Sequence, residues 1–142
     1  MFVVDTNVLL HAVNSSSPEN TKSGNALVLF ANGSENWALT WGIIYEFLRV
    51  STHPGVFPNP LNLKNAHGFI DELISTSRCF IITETEFHNP TLESSIAEIF
   101  RLSGNIIHDF HTAVLMKEHG IKEIVTFDTD FRAFPWVQIR DF

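Results

Sequence analysis

Cysteine occurs once in the 142-residue chain, as Cys79 within the apolar run CFIIT, so an internal disulfide and a cysteine-built zinc site are both excluded. That usage suits a reducing cytoplasm. Basic side chains are also scarce: nine Lys and Arg against sixteen Asp and Glu leave a net charge of −7, which argues against a protein that coats nucleic acid by bulk charge. Any grip on RNA or DNA must then come from local geometry or bound cations. No uninterrupted apolar run approaches the roughly 18 to 20 residues of a membrane span, and the opening MFVVDTNVLL lacks a basic leader and meets an acid at Asp5. A secreted or membrane-embedded protein is therefore not expected. What is present, 44% hydrophobic and 18% charged residues without repeats or low-complexity segments, is ordinary globular usage. The length suits one domain over residues 1–142.

Short β-branched apolar runs alternate with longer helical patterns. FVVD reads as a buried strand ending at Asp5, followed by a short helix from Asn7 to about Val13. Ser17 as cap and Pro18 as first residue predict a second helix to about Phe30, with Asn32, Gly33 and Ser34 as a turn. Trp37 to Thr40 reads as a strand, Gly42 to about Thr52 as a helix, and HPGVFPNPL as a proline-rich loop anchored by Val56, Phe57 and Leu61. Asn62 is placed to cap a helix running to about Ser75. Then come a strand over Cys79 to Thr83, a helix from Pro90 to about Leu102, and another from His108 to His119 closed by Gly120. Glu123 to Thr126 is a fourth strand and Val137 to Ile139 a fifth. Strands too apolar to face water on either side, alternating with helices, imply a three-layer α/β domain around a mostly parallel sheet.

In such sheets ligands bind beyond the carboxyl ends of the strands. Asp5 ends the first strand, Asp128 and Asp130 follow the fourth, and Glu46 and Asp109 lie in the first turns of helices that begin at the same rim. Each acid has an ordinary alternative role: Asp5, Asp109 and Asp128 as caps, and Glu46 as the partner of Arg49 three residues on. Several carboxylates gathered at one rim repel one another unless a cation neutralises them, and hard oxygen ligands select Mg²⁺ or Mn²⁺. One or two such ions suit in-line phosphodiester hydrolysis.

The segments VVDTNVLLHAV, EFLRVSTHPGVFPNPL, IIHDFHTAVLMKEHGI and EIVTFDTDFRAFP, in this order and spacing over nearly the whole chain, resemble the PIN-domain ribonucleases of the VapC toxin type. The resemblance implies a five-stranded parallel sheet with helices on both sides and a metal held by Asp5, Glu46, Asp109 and Asp128. Asp130 matches an assisting acid, and Thr6, Asn7 and Thr126 match polar residues that orient ligands or water. It further implies an RNA substrate, an inhibitory antitoxin protein and a homodimer. Arg49, Lys117, Arg132 and Arg140 are the candidates for contacts with RNA phosphates.

Other classes compete less well. His108-Asp109 with Asp128 invites comparison with the HD phosphohydrolases, but the strand runs do not belong on their all-helical scaffold; His108 and His111 are instead expected beside the metal site or on the helix surface. A haloacid-dehalogenase phosphatase needs an acid where Asn7 stands. A house-keeping RNA-processing nuclease would use the same four acids, and a silent interaction module would not need them. Among the aromatics, Phe30, Trp37, Trp41 and Phe47 are candidates for a partner-binding patch.

Overall fold

The apolar runs, too short for helices, pair into one sheet. In the computed structural model, which describes all residues except Phe100, Arg101, Ser103 and Asn105, the strands are β1 (Phe2–Val4), β2 (Trp37–Thr40), β3 (Cys79–Ile82), β4 (Glu123–Val125) and β5 (Gln138–Ile139). Their spatial order is β3-β2-β1-β4-β5, with every pairing parallel. Central β1 sets Val3 opposite Ala38 on one side and Ile124 on the other, and all three of its residues are buried.

The helices are α1 (Thr6–Val13), α2 (Asn20–Asn32), α3 (Trp41–Ser51), α4 (Leu63–Ile74), α5 (His88–Ala97) and α6 (Ile106–Glu118), with a 3-10 turn at Thr129–Ala133. The chain steps outward from β1 to β3 through α1 to α4, then crosses back to β4 and β5 through α5 and α6. Right-handed crossovers place these two sets on opposite faces. The packing agrees: α1 contacts α2 and α3, α3 contacts α4, and α5 lies against α6. Trp37, Phe2, Phe47, Phe131 and Phe134 are the largest wholly buried side chains, filling both interlayer spaces.

Several expected boundaries shift for identifiable reasons. β1 stops at Val4 because Asp5 already caps α1, accepting from the Thr6 amide at 2.7 Å. Ser17 does not cap α2, which begins at Asn20: its hydroxyl is held by His11 Nδ1 at 2.7 Å and accepts from the Glu19 amide within a preceding turn. That helix also runs on to Asn32, through part of the expected turn. Helix α5 starts at His88 rather than Pro90, and part of its expected end at Leu102 lies outside the described residues. β3 is an edge strand with Phe80 exposed, so it does face water. Of the four aromatics considered for a partner patch, Phe30, Trp37 and Phe47 are core, and only Trp41 is exposed. Gly120 does close α6, at φ 67°, a left-handed conformation suited to glycine.

Asn62 caps α4 as expected, its Oδ1 accepting from the Asn65 amide at 2.8 Å. Asn62→Ala should therefore cost about 1 kcal/mol and lower the melting temperature by a few degrees without altering the site. A thermal melt of the purified variant checks this; an unchanged midpoint would mean that the cap contributes nothing.

Candidate active site

Parallel βα units carry the chain from a buried strand directly into a helix at one rim, and this construction places Asp5. Its backbone N–H continues the ladder to Val125 O at 3.0 Å, so its side chain emerges between β1 and β4. Oδ1 accepts from the Thr6 amide, and Oδ2 accepts from Asn7 Nδ2 at 2.7 Å and from Thr126 Oγ1 at 2.6 Å. The residue is 7% exposed. Burial pushes its pKa up to about 6 against the hydrogen bonds from Thr126 and Thr6, with Glu46 and Asp128 adding repulsion.

The polar residues around Asp5 fasten the site together. Thr126 Oγ1 also accepts from Asn7 Nδ2 and from the Asp128 amide, both at 2.9 Å, while Asn7 Oδ1 accepts from the Phe127 amide at 3.2 Å. Thr6 Oγ1 donates to Glu46 Oε2 at 3.0 Å, tying the start of α1 to α3. Asp128 Oδ1 accepts from the Asp130 amide at 2.8 Å and thereby caps the 3-10 turn. Two of the ordinary cap roles are thus filled, by Asp5 and Asp128, without removing either acid from the rim.

Asp109, half-buried in the first turn of α6, has its pKa pushed up to about 7. Burial is the main cause, followed by repulsion from Asp5, Asp128, Glu46 and Asp130. Asp5, Thr6, Asn7, Glu46, Asp109, Asp128 and Asp130 line one cleft of about 550 Å³. An adjoining lobe of about 330 Å³ shares Asp5, Glu46, His108 and Asp109 and adds Gly42, Tyr45 and His111. All four expected ligands therefore converge, Thr126 stands directly behind Asp5, and both histidines flank the cleft as expected.

The basic candidates separate. Arg49 lines the cleft but is largely exposed and lies 3.8 Å from Glu46, a contact too weak to neutralise the cluster. Lys117 is 2.7 Å from Glu98 and sits over the Trp136 ring, away from the cleft. Arg132 is exposed in the 3-10 turn, outside the cleft lining. Arg140 bridges both Glu35 oxygens and Glu123 and lies over Phe2, at the end of the sheet opposite the cleft. Sequence reasoning did not single out Tyr45 or Gly42 in the cleft; only their adjacency to Glu46 and to the end of β2 pointed there.

A carboxylate cluster in which burial, with added repulsion among the acids, raises Asp5 and Asp109 fits a hard divalent cation. The family model for the PIN domain matches residues 2–137. The chain belongs to the PIN domain family. Over 137 residues this PIN domain is 32% identical to ribonuclease VapC48 of Mycobacterium tuberculosis, covering 96% of this chain and 94% of the relative. It is 30% identical to ribonuclease VapC37 of the same organism, covering 97% and 94%. Among solved structures, VapBC2 of Rickettsia felis bound to a promoter DNA fragment superposes with a TM-score of 0.69 at 17% identity, covering 98% of this chain and 96% of that one. VapC20 of M. tuberculosis, a sarcin-ricin loop cleaving toxin, superposes at 0.67 and 17% identity, covering 99% and 100%. These likenesses establish the three-layer fold. The parallel sheet also rules out the all-helical HD scaffold.

Proposed function

We propose that this PIN domain is a metal-dependent endoribonuclease that hydrolyses RNA phosphodiester bonds and acts as the toxin of a toxin–antitoxin pair. The observation that carries the proposal is the convergence of Asp5, Glu46, Asp109 and Asp128 in one cleft, where burial first, and then repulsion among the acids, raises Asp5 and Asp109. The relatives named as VapC ribonucleases support the substrate class.

The four acids would hold Mg²⁺ or Mn²⁺, with Asp130 beside them. When bound, the ion supplies charge for the phosphoryl oxygens and a more acidic water. The chain's own residues do the positioning. Thr126, Asn7 and the Thr6 amide hold the Asp5 carboxylate in one orientation, and the Thr6 hydroxyl holds Glu46. Arg49 at the cleft edge is placed to meet a backbone phosphate. With a net charge of −7 and, among the described residues, Arg49 the only Lys or Arg in the lining, RNA is gripped weakly without the ion.

That weakness favours a protein inhibitor. An antitoxin segment placing an Arg among the acids could bridge two carboxylates with its fork. Beside the acids, Trp41 and Tyr45 are 50% and 69% exposed, with ring centroids 6.4 Å apart, and would give apolar contact to that segment. The solved VapBC2 and FitAB neighbours support an antitoxin partner; a homodimer and a cytoplasmic location complete the proposal. No helix among the described residues is long and apolar enough to cross a membrane.

The test is to induce the chain in a bacterial host, alone and with the product of a small neighbouring gene. Growth arrest with cleaved RNA, relieved by that product and absent for Asp109→Asn, is the expected result. Normal growth with intact RNA at confirmed expression would overturn the toxin assignment, and cleavage that no neighbouring product relieves would indicate an RNA-processing nuclease.

A further inference from the structure

Beside the acidic cleft, on the far side of His111, three other side chains converge. Glu84 lies in the connection after β3, His88 opens α5, and His111 lies on α6. One Glu84 oxygen and one nitrogen from each imidazole all lie within 4.8 Å of one another. The His111 Nε2 to Glu84 Oε1 distance is 2.8 Å, and the two rings meet edge to face with centroids 5.7 Å apart. Behind them stands Glu118, whose side chain is 1% exposed. Its Oε1 accepts from the Thr85 amide and its Oε2 lies 2.8 Å from His88 Nδ1. A buried carboxylate at Nδ1 keeps the proton there and leaves His88 Nε2 with its lone pair free, the arrangement that orients metal-binding imidazoles.

We infer that Glu84, His88 and His111 form a second cation site, separate from the carboxylate cleft, that takes an imidazole-preferring ion of the Zn²⁺ class. Two imidazoles and one carboxylate match the three-ligand sets that hold Zn²⁺ with one position open, at bonds of about 2.0 to 2.2 Å. Mg²⁺ prefers oxygen ligands in octahedral geometry and is a poor fit. Four-coordinate bonds of that length set ligand atoms about 3.3 Å apart, so the present cluster needs only small side-chain rotations to close around an ion. Binding replaces the Glu84–His111 hydrogen bond: His111 takes the Nδ1–H tautomer and offers Nε2. The ion would fasten the start of α5 to α6 within one turn of Asp109. The two sites thereby sort ions by hardness, oxygen-seeking ions going to the acids and imidazole-seeking ions to this pair of helices.

Co²⁺, added to the metal-free full chain in millimolar Mg²⁺ that occupies the acids, is the probe. One equivalent should bind with the visible absorption of a four-coordinate imidazole site. His88→Asn keeps an N–H toward Glu118 but removes Nε2, and should weaken binding more than tenfold; Glu84→Gln should do the same, and Asp128→Asn should not. Circular dichroism confirms that each variant is folded. Equal Co²⁺ affinity in His88→Asn and the parent chain, loss in Asp128→Asn alone, or no binding by the parent chain would each overturn the site. RNA cleavage in Mg²⁺ is read separately, so a failed nuclease assignment and a failed Co²⁺ site remain distinguishable.

Discussion

Asp5→Asn is expected to lower RNA cleavage by more than about a hundredfold while leaving the protein folded, the scale of removing a principal electrostatic stabiliser. Asn conserves volume, so no cavity opens, and it remains a good cap for the Thr6 amide. On the other side its amide nitrogen would meet Asn7 Nδ2 and the Thr126 hydroxyl, both of which donate to Oδ2 in the parent chain, so those two hydrogen bonds are lost. What disappears is one negative charge at the most buried of the four acids. Metal-free Asp5→Asn should stay folded at neutral pH, because removing a buried charge crowded by Glu46 and Asp128 offsets the lost hydrogen bonds. Cleavage of a labelled RNA and a thermal melt on the same preparation check both halves. Full activity in a preparation free of parent protein would remove Asp5 from the site.

The metal-free protein should lose stability as pH rises, and divalent cation should restore it. Asp5 and Asp109 have folded-state values of about 6 and about 7, above the ordinary 3.8. The folded state therefore holds these protons more tightly than the unfolded chain, and stability falls from about pH 4 through pH 7. For Asp5 the shift corresponds to about 3 kcal/mol. Asp109 adds a further cost, although the Asp5 charge is itself one of the causes that raise Asp109 and the two do not simply sum. Binding of Mg²⁺ or Mn²⁺ at a hundred times Kd would return about 2.7 kcal/mol, or about 10 °C in a chain of this size. Melts in chelator at pH 5 and pH 8, repeated with millimolar cation at pH 8, measure both effects. A midpoint at pH 8 that moved with neither chelator nor cation would count decisively against a metal cluster.

The strand-and-helix alternation was readable because each strand is a compact apolar run, with Asp5 directly after the first and Asp128 shortly after the fourth. Asn62 and Gly120 were readable too, since a cap and a left-handed terminus make local chemical demands. Ser17 misled because its competing partner, His11, becomes a neighbour only when α1 folds back toward the turn. The phosphate candidates were the weakest: an isolated Lys or Arg carries no sign of which carboxylate will claim it. Arg140 is claimed by Glu35, 105 residues away, and Lys117 by Glu98. Glu84 sits in TETEF, a stretch without periodicity, so its approach to His111 was visible only in three dimensions.

The placement of β1 between β2 and β4 has a consequence for a chain still being synthesised. Asp5 is made well before Thr126, which orients it and lies 121 positions later, and Asp128 follows that. Until β4 has left the ribosome, β1 lacks one of its two neighbours and the cleft lacks one wall. A nascent chain, or one that stops before β4, thus carries an incomplete acidic cleft. The cleft is completed late and all at once, when β4 brings Thr126 and Asp128 to Asp5.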